Sequence, residues 1–185
     1  MDINTFYKKL SYVNASRANR LYNANLVKSN MQLFPILLDI LFKVSDKVSC
    51  RAAWVLEFVC ADNIAVLQPH LDYFIANAKT VHFDSAVRPV AKVCALLVQD
   101  YGEGRRIDLQ QNHKAQLVET SFDWLMANQK VAIKVHAMEV LFLLGNEPEF
   151  KWVHPELIQI LERDFNTQSA AYKSRAKRVF KRLGK

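Results

Sequence analysis

Ser49-Cys-Arg-Ala-Ala-Trp-Val-Leu-Glu-Phe-Val-Cys-Ala61 is the stretch whose reading decides the fold. Wound at 3.6 residues per turn from Val48, it sets Val48, Ala52, Val55 and Val59 in one stripe, widened by Leu56 and Cys60. Ala53 lies at the margin of that stripe, and Trp54 and Phe58 occupy much of the opposite side. Only Arg51, Glu57 and the small Ser49 and Cys50 interrupt. A helix apolar on nearly all sides is a buried helix. At about 14 residues it is too short to span a bilayer, which needs roughly 20.

The same helix recurs. With Ala53 as anchor, Ala91 fits in RPVAKVCALLV, Ala137 in KVHAMEVLFLL, Ala176 in KSRAKRVFKRL and, less well, Ala18 in ASRANRLYNANLV. Three residues beyond each anchor stands Leu21, Leu56, Cys94, Val140 or Val179. A small anchor admits a neighbouring helix closely, and the residue one turn later fills the space beside it. A second helix precedes each of these. Three begin alike, at Pro35-Ile-Leu-Leu, Pro69-His-Leu-Asp and Pro155-Glu-Leu-Ile, and Ala115-Gln-Leu-Val aligns without its proline. Proline suits a first helical turn, where its missing N–H had no intrahelical partner.

A helical pair repeated about every 40 residues is the pattern of HEAT and armadillo arrays, and the chain resembles a HEAT-repeat protein over most of its length. The resemblance implies an all-α fold: a short right-handed α-α superhelix, or solenoid, of about five helical pairs. It also implies that the second helices line the concave face. The competing reading is an ordinary helical bundle with coincidental periodicity.

Residues 1–185 then form a single repeat domain. Residues 1–28 are a polar N-terminal cap pair, with Ala18, Leu21, Tyr22 and Leu26 facing inward and Arg17, Asn19, Arg20 and Asn23 facing water. Asp46 is placed to cap the helix from Val48, and residues 64–78 read as one helix. Pro89 should bend the following helix or delay its start. Residues 101–112, YGEGRRIDLQQN, are an inserted loop that accounts for the widest anchor spacing. Gly145 and Gly184 each end a helix, and residues 169–185 form a basic C-terminal helix.

The chain is 51% hydrophobic with only 4 Gly and 5 Pro, enough to supply a packed helical core. No run of about 18 apolar residues spans a membrane, and MDINTFYKKL lacks the pattern of a secretory signal. Cys50, Cys60 and Cys94 form no CxxC, and Cys50 and Cys60 lie about 15 Å apart along one helix, too far for a disulfide. Reduced thiols place the protein in the cytoplasm. The net charge is +7, but all 18 acidic residues lie at or before Asp164. Lys173, Arg175, Lys177, Arg178, Lys181, Arg182 and Lys185 follow, so the body is formally neutral and the C-terminal helix carries the excess.

Two features are candidate binding elements. Lys173 to Arg182 fill over half the circumference of the last helix, opposite Tyr172, Ala176, Val179, Phe180 and Leu183. That is an electrostatic footprint for phosphates, or a solvated outer face. One position beyond the anchors come Trp54, Lys92, Met138 and Lys177, which would set an aromatic and two cations in the groove. Such a pairing suits a base, a nucleotide or a peptide side chain. Arg105 and Arg106 in the insertion could add to a basic track.

The enzymatic branch implied by the resemblance is the HEAT-fold DNA alkylation-repair glycosylases. It requires an acidic residue beside aromatics in a basic groove, and the sequence does not place one. The five histidines show no HExxH spacing, and no G-x-S-x-G, phosphate-loop or dinucleotide fingerprint is present. The sequence therefore reads as a non-catalytic macromolecule-binding scaffold with no cofactor or metal. A protein is the leading partner, and nucleic acid the alternative; the oligomeric state is not encoded legibly.

Overall fold

A computed structural model describes residues 1–184, so Lys185, the last cation of the expected basic tail, lies outside the described residues. Ten α-helices and no strand are found among them. The chain divides by its internal contacts into two units, Met1–Leu96 and the residues from Leu97 onward.

The first unit contains α1 (Ile3–Ser11), α2 (Arg17–Ser29), α3 (Leu33–Leu41), α4 (Val48–Asp62), a 3-10 segment (Ile64–His70) and α5 (Leu71–Ala78). Helix α6 (Asp84–Gly102) carries its last residues. The hub is α4, the helix quoted at the outset: α1, α2, α3 and the 3-10 segment all pack on it. Ala52, Ala53, Val55, Leu56 and Val59 are fully buried, as an all-round apolar helix should be. Asp46 does not itself precede the first helical residue. Lys47 holds that place, while the Asp46 carboxylate accepts from the Val48 N–H at 2.9 Å and from the Tyr7 hydroxyl at 2.5 Å. These bonds, Tyr7's first, hold the Asp46 carboxyl below its usual range.

Two expectations fail here. Residues 64–78 are not one helix, because Pro69 can neither donate nor let the chain close a regular α-turn around it. The chain runs as 3-10 to His70 and turns α only from Leu71. On α2 the buried residues are Asn23, Ala24 and Val27, whereas Ala18 is exposed and Leu21 and Tyr22 are 40% and 62% exposed. Aligning Ala18 with the anchors misplaced the inward face. The Asn23 side-chain N–H donates to the Asn19 carbonyl at 2.9 Å, while its Oδ1 is buried with no hydrogen-bond partner among the described residues.

The second unit contains α7 (Gln111–Met126), α8 (Val131–Leu144), a 3-10 turn (Pro148–Phe150), α9 (Val153–Asp164) and α10 (Ala170–Arg182). Its hub is α8, against which α7, α9 and α10 pack. The anchors Ala91, Ala137 and Ala176, like Ala53, are fully buried. Residues 103–110 lie outside the flanking helices, in place of the expected loop 101–112, and they are tied down. The buried Asp100 carboxylate accepts from the Arg106 and Ile107 N–H groups at 2.7 and 2.9 Å and from the Arg106 guanidinium. Burial alone would push the Asp100 carboxyl up, but these bonds outweigh it and hold it below its usual range.

Gly145 ends α8 with φ −62, so it is not required for a left-handed turn, unlike Gly184 at φ 76. Space is the constraint: a Cβ at Gly145 would overlap the His154 ring. That ring stacks on Phe142 at 5.6 Å and its Nε2 lies 2.9 Å from the Phe142 carbonyl. Gly145→Ala is therefore expected to destabilise the protein by about 1–3 kcal/mol, as overpacking does. Thermal melting should show most of the loss recovered in a Gly145→Ala/His154→Ala chain.

Candidate functional site

The densest gathering of cations and aromatic rings lies in the first unit, on the face shared by α2, α4 and α6. From α4 come Trp54, Glu57 and Phe58, one turn of helix. From α2, Arg17 lies 5.9 Å over the Phe58 ring and Arg20 lies 5.6 Å over Trp54 and 5.7 Å over Phe58. From α6, the Arg88 guanidinium and the Lys92 ammonium meet the Glu57 carboxylate at 3.1 and 2.9 Å. Arg88 and Lys92 are four apart and so share a helical face. The Trp54 indole N–H donates to the Ser85 carbonyl at 2.8 Å, tying α4 to the start of α6.

The balance of charge gives the face its character. Glu57 is only 6% exposed, and each of its oxygens is engaged by a cation. It cancels one of four positive charges and leaves a net excess. At one end of α4 a depression of about 330 Å³, lined by Lys47, Arg51, Trp54, Phe83 and Asp84, extends the basic surface. The Arg51 guanidinium donates to the Ser11 carbonyl. At the other end Lys28 pairs with Asp62 at 3.1 Å and adds no net charge. The Arg20 guanidinium also donates to the Ala15 carbonyl at 2.5 Å and to the Ser16 carbonyl at 3.5 Å, which fixes it over the rings and leaves part of its planar N–H edge for a carboxylate or phosphate. Cys50, also in the depression, has its thiol pushed up by burial, and Cys94 is pushed up to about 12 for the same reason. Neither has the low-pKa thiolate of a nucleophile.

The residues singled out from the sequence are distributed unevenly. Trp54 and Lys92 stand together on this face. Met138, aligned with them, is fully buried in the second unit. Arg105 and Arg106 are spent locally, Arg105 on Glu103 at 2.8 Å and Arg106 on Asp100 at 2.9 Å. On α10, Arg182 pairs with Glu139 at 3.0 Å and lies 3.6 Å over Phe142. Lys173 donates to the Asn166 carbonyl at 3.3 Å. Arg175, Lys177, Arg178 and Lys181 have no acidic partner among the described residues, so α10 carries a second basic surface.

Sequence reading missed Arg17, Arg20, Glu57, Phe58 and Arg88 as members of one site. The signal was present in part: Arg88 is four before Lys92, and Phe58 four after Trp54. No group of three or more metal-ligating side chains exists among the described residues, and no helix is long and apolar enough to cross a membrane. Compared with family models, curated proteins and solved structures, the chain matches none of them.

Proposed function

We propose that this protein is a non-catalytic HEAT- or armadillo-like scaffold that holds an acidic segment of a partner protein on the α2/α4/α6 face. The observation that carries the reading is the presence there of Arg17, Arg20, Arg88 and Lys92 against one buried acid. The repeat reading is supported by the four fully buried alanine anchors and by two hub helices, α4 and α8, each built around one of them. A right-handed superhelix of about five pairs is the arrangement we infer, with the reduced thiols favouring a cytoplasmic setting.

A protein partner is preferred to nucleic acid on charge density. Duplex DNA presents one charge per about 1.7 Å, and a near-neutral body with a few unpaired cations neutralises little of it. An acidic peptide needs only a few matched contacts. Fluorescence anisotropy with a labelled Glu/Asp-rich peptide should show saturable binding at low salt, weakened about tenfold or more by Arg17→Glu/Arg20→Glu. Lack of saturable binding by the peptide would refute the reading. If the loss follows Lys177→Glu/Arg178→Glu/Lys181→Glu instead, α10 is the site.

One observation favours nucleic acid, in the alkylation-repair-like sense: Glu57 stands beside Trp54 and Phe58 among cations, the constellation that the resemblance demands. Both its oxygens are occupied, which makes it a counter-ion here rather than a poised carboxylate. An alkylated duplex bound more tightly than the acidic peptide, with excision of the altered base, would establish that alternative.

A further inference from the structure

The second unit has a groove that the repeat register and the charge pattern do not use. On α7, Ala115, Val118, Phe122 and Met126 recur at spacings of three and four and share one face. Phe150, Trp152 and Ile160 stand opposite, and the open groove between them has a volume of about 500 Å³. Val118, Phe150 and Ile160 are buried and form the floor. Phe122 and Trp152 stack at 5.8 Å with planes 19° apart. Met126 and Trp152, 53% and 52% exposed, are the two large hydrophobic side chains this unit leaves open among the described residues. The charged side chains lining the groove are all acidic: Glu119 and Asp123, one turn apart on α7, and Glu156 on α9.

We propose that this groove docks a basic amphipathic helix of a partner protein. The length fits: Ala115 to Met126 spans about 16 Å, three turns of helix. The chemistry selects a helix over an extended peptide. The α7 wall is helical and its backbone groups are paired within the helix, so an extended chain laid along it would leave its own N–H and C=O groups unmet over the apolar floor. A helix satisfies them internally and offers apolar residues at i, i+3 or i+4 and i+7 to the slot beside Trp152. Charge complementarity selects the flanks. Lys or Arg on the docked helix meet the exposed Asp123 and Glu156, while a nucleic acid or acidic peptide meets like charges there. The protein's own basic helix is not the occupant, because α10 packs on α8 with Tyr172, Ala176 and Val179 already buried.

The test uses the full chain and three labelled peptides of about 14 residues, four turns long. One places Leu at helical spacing among Lys, one scrambles that composition, and one replaces Lys with Glu. Anisotropy should show the patterned Lys peptide binding about tenfold or more tighter than either other peptide, with Trp152→Ala weakening it about tenfold. Asp123→Lys/Glu156→Lys, which alters only exposed side chains, should transfer preference to the Glu peptide. Equal binding of scrambled and patterned peptides, indifference to Trp152→Ala, or no saturable binding would each overturn the proposal. Arg17→Glu/Arg20→Glu should leave this binding unchanged, which separates it from the acidic-segment site.

Discussion

Replacing Arg88 and Lys92 together with methionine is expected to destabilise the protein by about 3–5 kcal/mol, the cost of stranding a buried charge. The two cations are about a third exposed, with side-chain accessibilities of 38% and 36%, whereas Glu57 is at 8%. Removing Glu57 leaves two cations that can turn to water. Removing the cations leaves a carboxylate that cannot. The asymmetry gives a second expectation: adding Glu57→Met to the double variant should recover most of the loss, because methionines of similar volume pack where the charges were. Urea denaturation read at the midpoint decides it. If the double variant unfolds at the wild-type midpoint, Glu57 does not depend on α6, and the charge balance assigned to the face is wrong. The expectation also orders the roles of the four cations. Arg88 and Lys92 hold α6 to α4 before they bind anything, so Arg17 and Arg20 are the pair whose loss reports on binding with least effect on folding.

The fold was legible where one side-chain type dominated a helical face. Val48 to Ala61 is apolar nearly all round, and it is the hub of its unit. Ala137 marks the hub of the other. Legibility failed where the inward face is polar. Asn23 is buried on α2 with only its amide N–H paired, to a backbone carbonyl inside the helix, and no hydrophobic period announces that. It failed again at Pro69, where the first-turn preference predicted a helix start and the ring instead left a 3-10 segment. The candidate face was half legible. Trp54 and Lys92 follow from the anchor register, but whether Lys92 is a free cation or a counter-ion depends on a carboxylate 35 residues away. Glu57 looked like a polar interruption of an apolar helix. Arg105 and Arg106 are legible as exposed side chains, but their ion pairs with Glu103 and Asp100 depend on the local fold and are not read from the sequence.

Glu147→Leu should be the corresponding lesion in the second unit, with a dependence on pH that identifies its cause. Lys114 is buried, with a side chain at 9% accessibility, and its ammonium donates to the Glu147 carboxylate at 2.9 Å and to the Tyr101 hydroxyl at 3.2 Å. It also lies 5.3 Å from the centre of the Tyr101 ring. Tyrosine keeps part of the cation's solvation after the substitution, so the expected loss is about 3 kcal/mol, the low end for breaking a buried pair. The hydrogen bond that Lys114 donates to the Glu147 carboxylate is the chief cause that raises the Lys114 pKa above its ordinary value, and burial opposes it. A lysine raised on folding adds stability that is complete below the unfolded value, about 10.4, and is lost as pH rises through the folded value. The gap between wild type and Glu147→Leu should therefore be complete at neutral pH and close as pH rises through the Lys114 values of the two folded chains, the variant's being the lower because burial is no longer opposed by Glu147. A Lys114→Leu/Glu147→Leu chain should lie close to wild type at neutral pH, since no charge is then stranded. Should the single and double variants be equally unstable, with a gap indifferent to alkaline pH, the loss would belong to packing around Glu147 and the ion pair would contribute nothing.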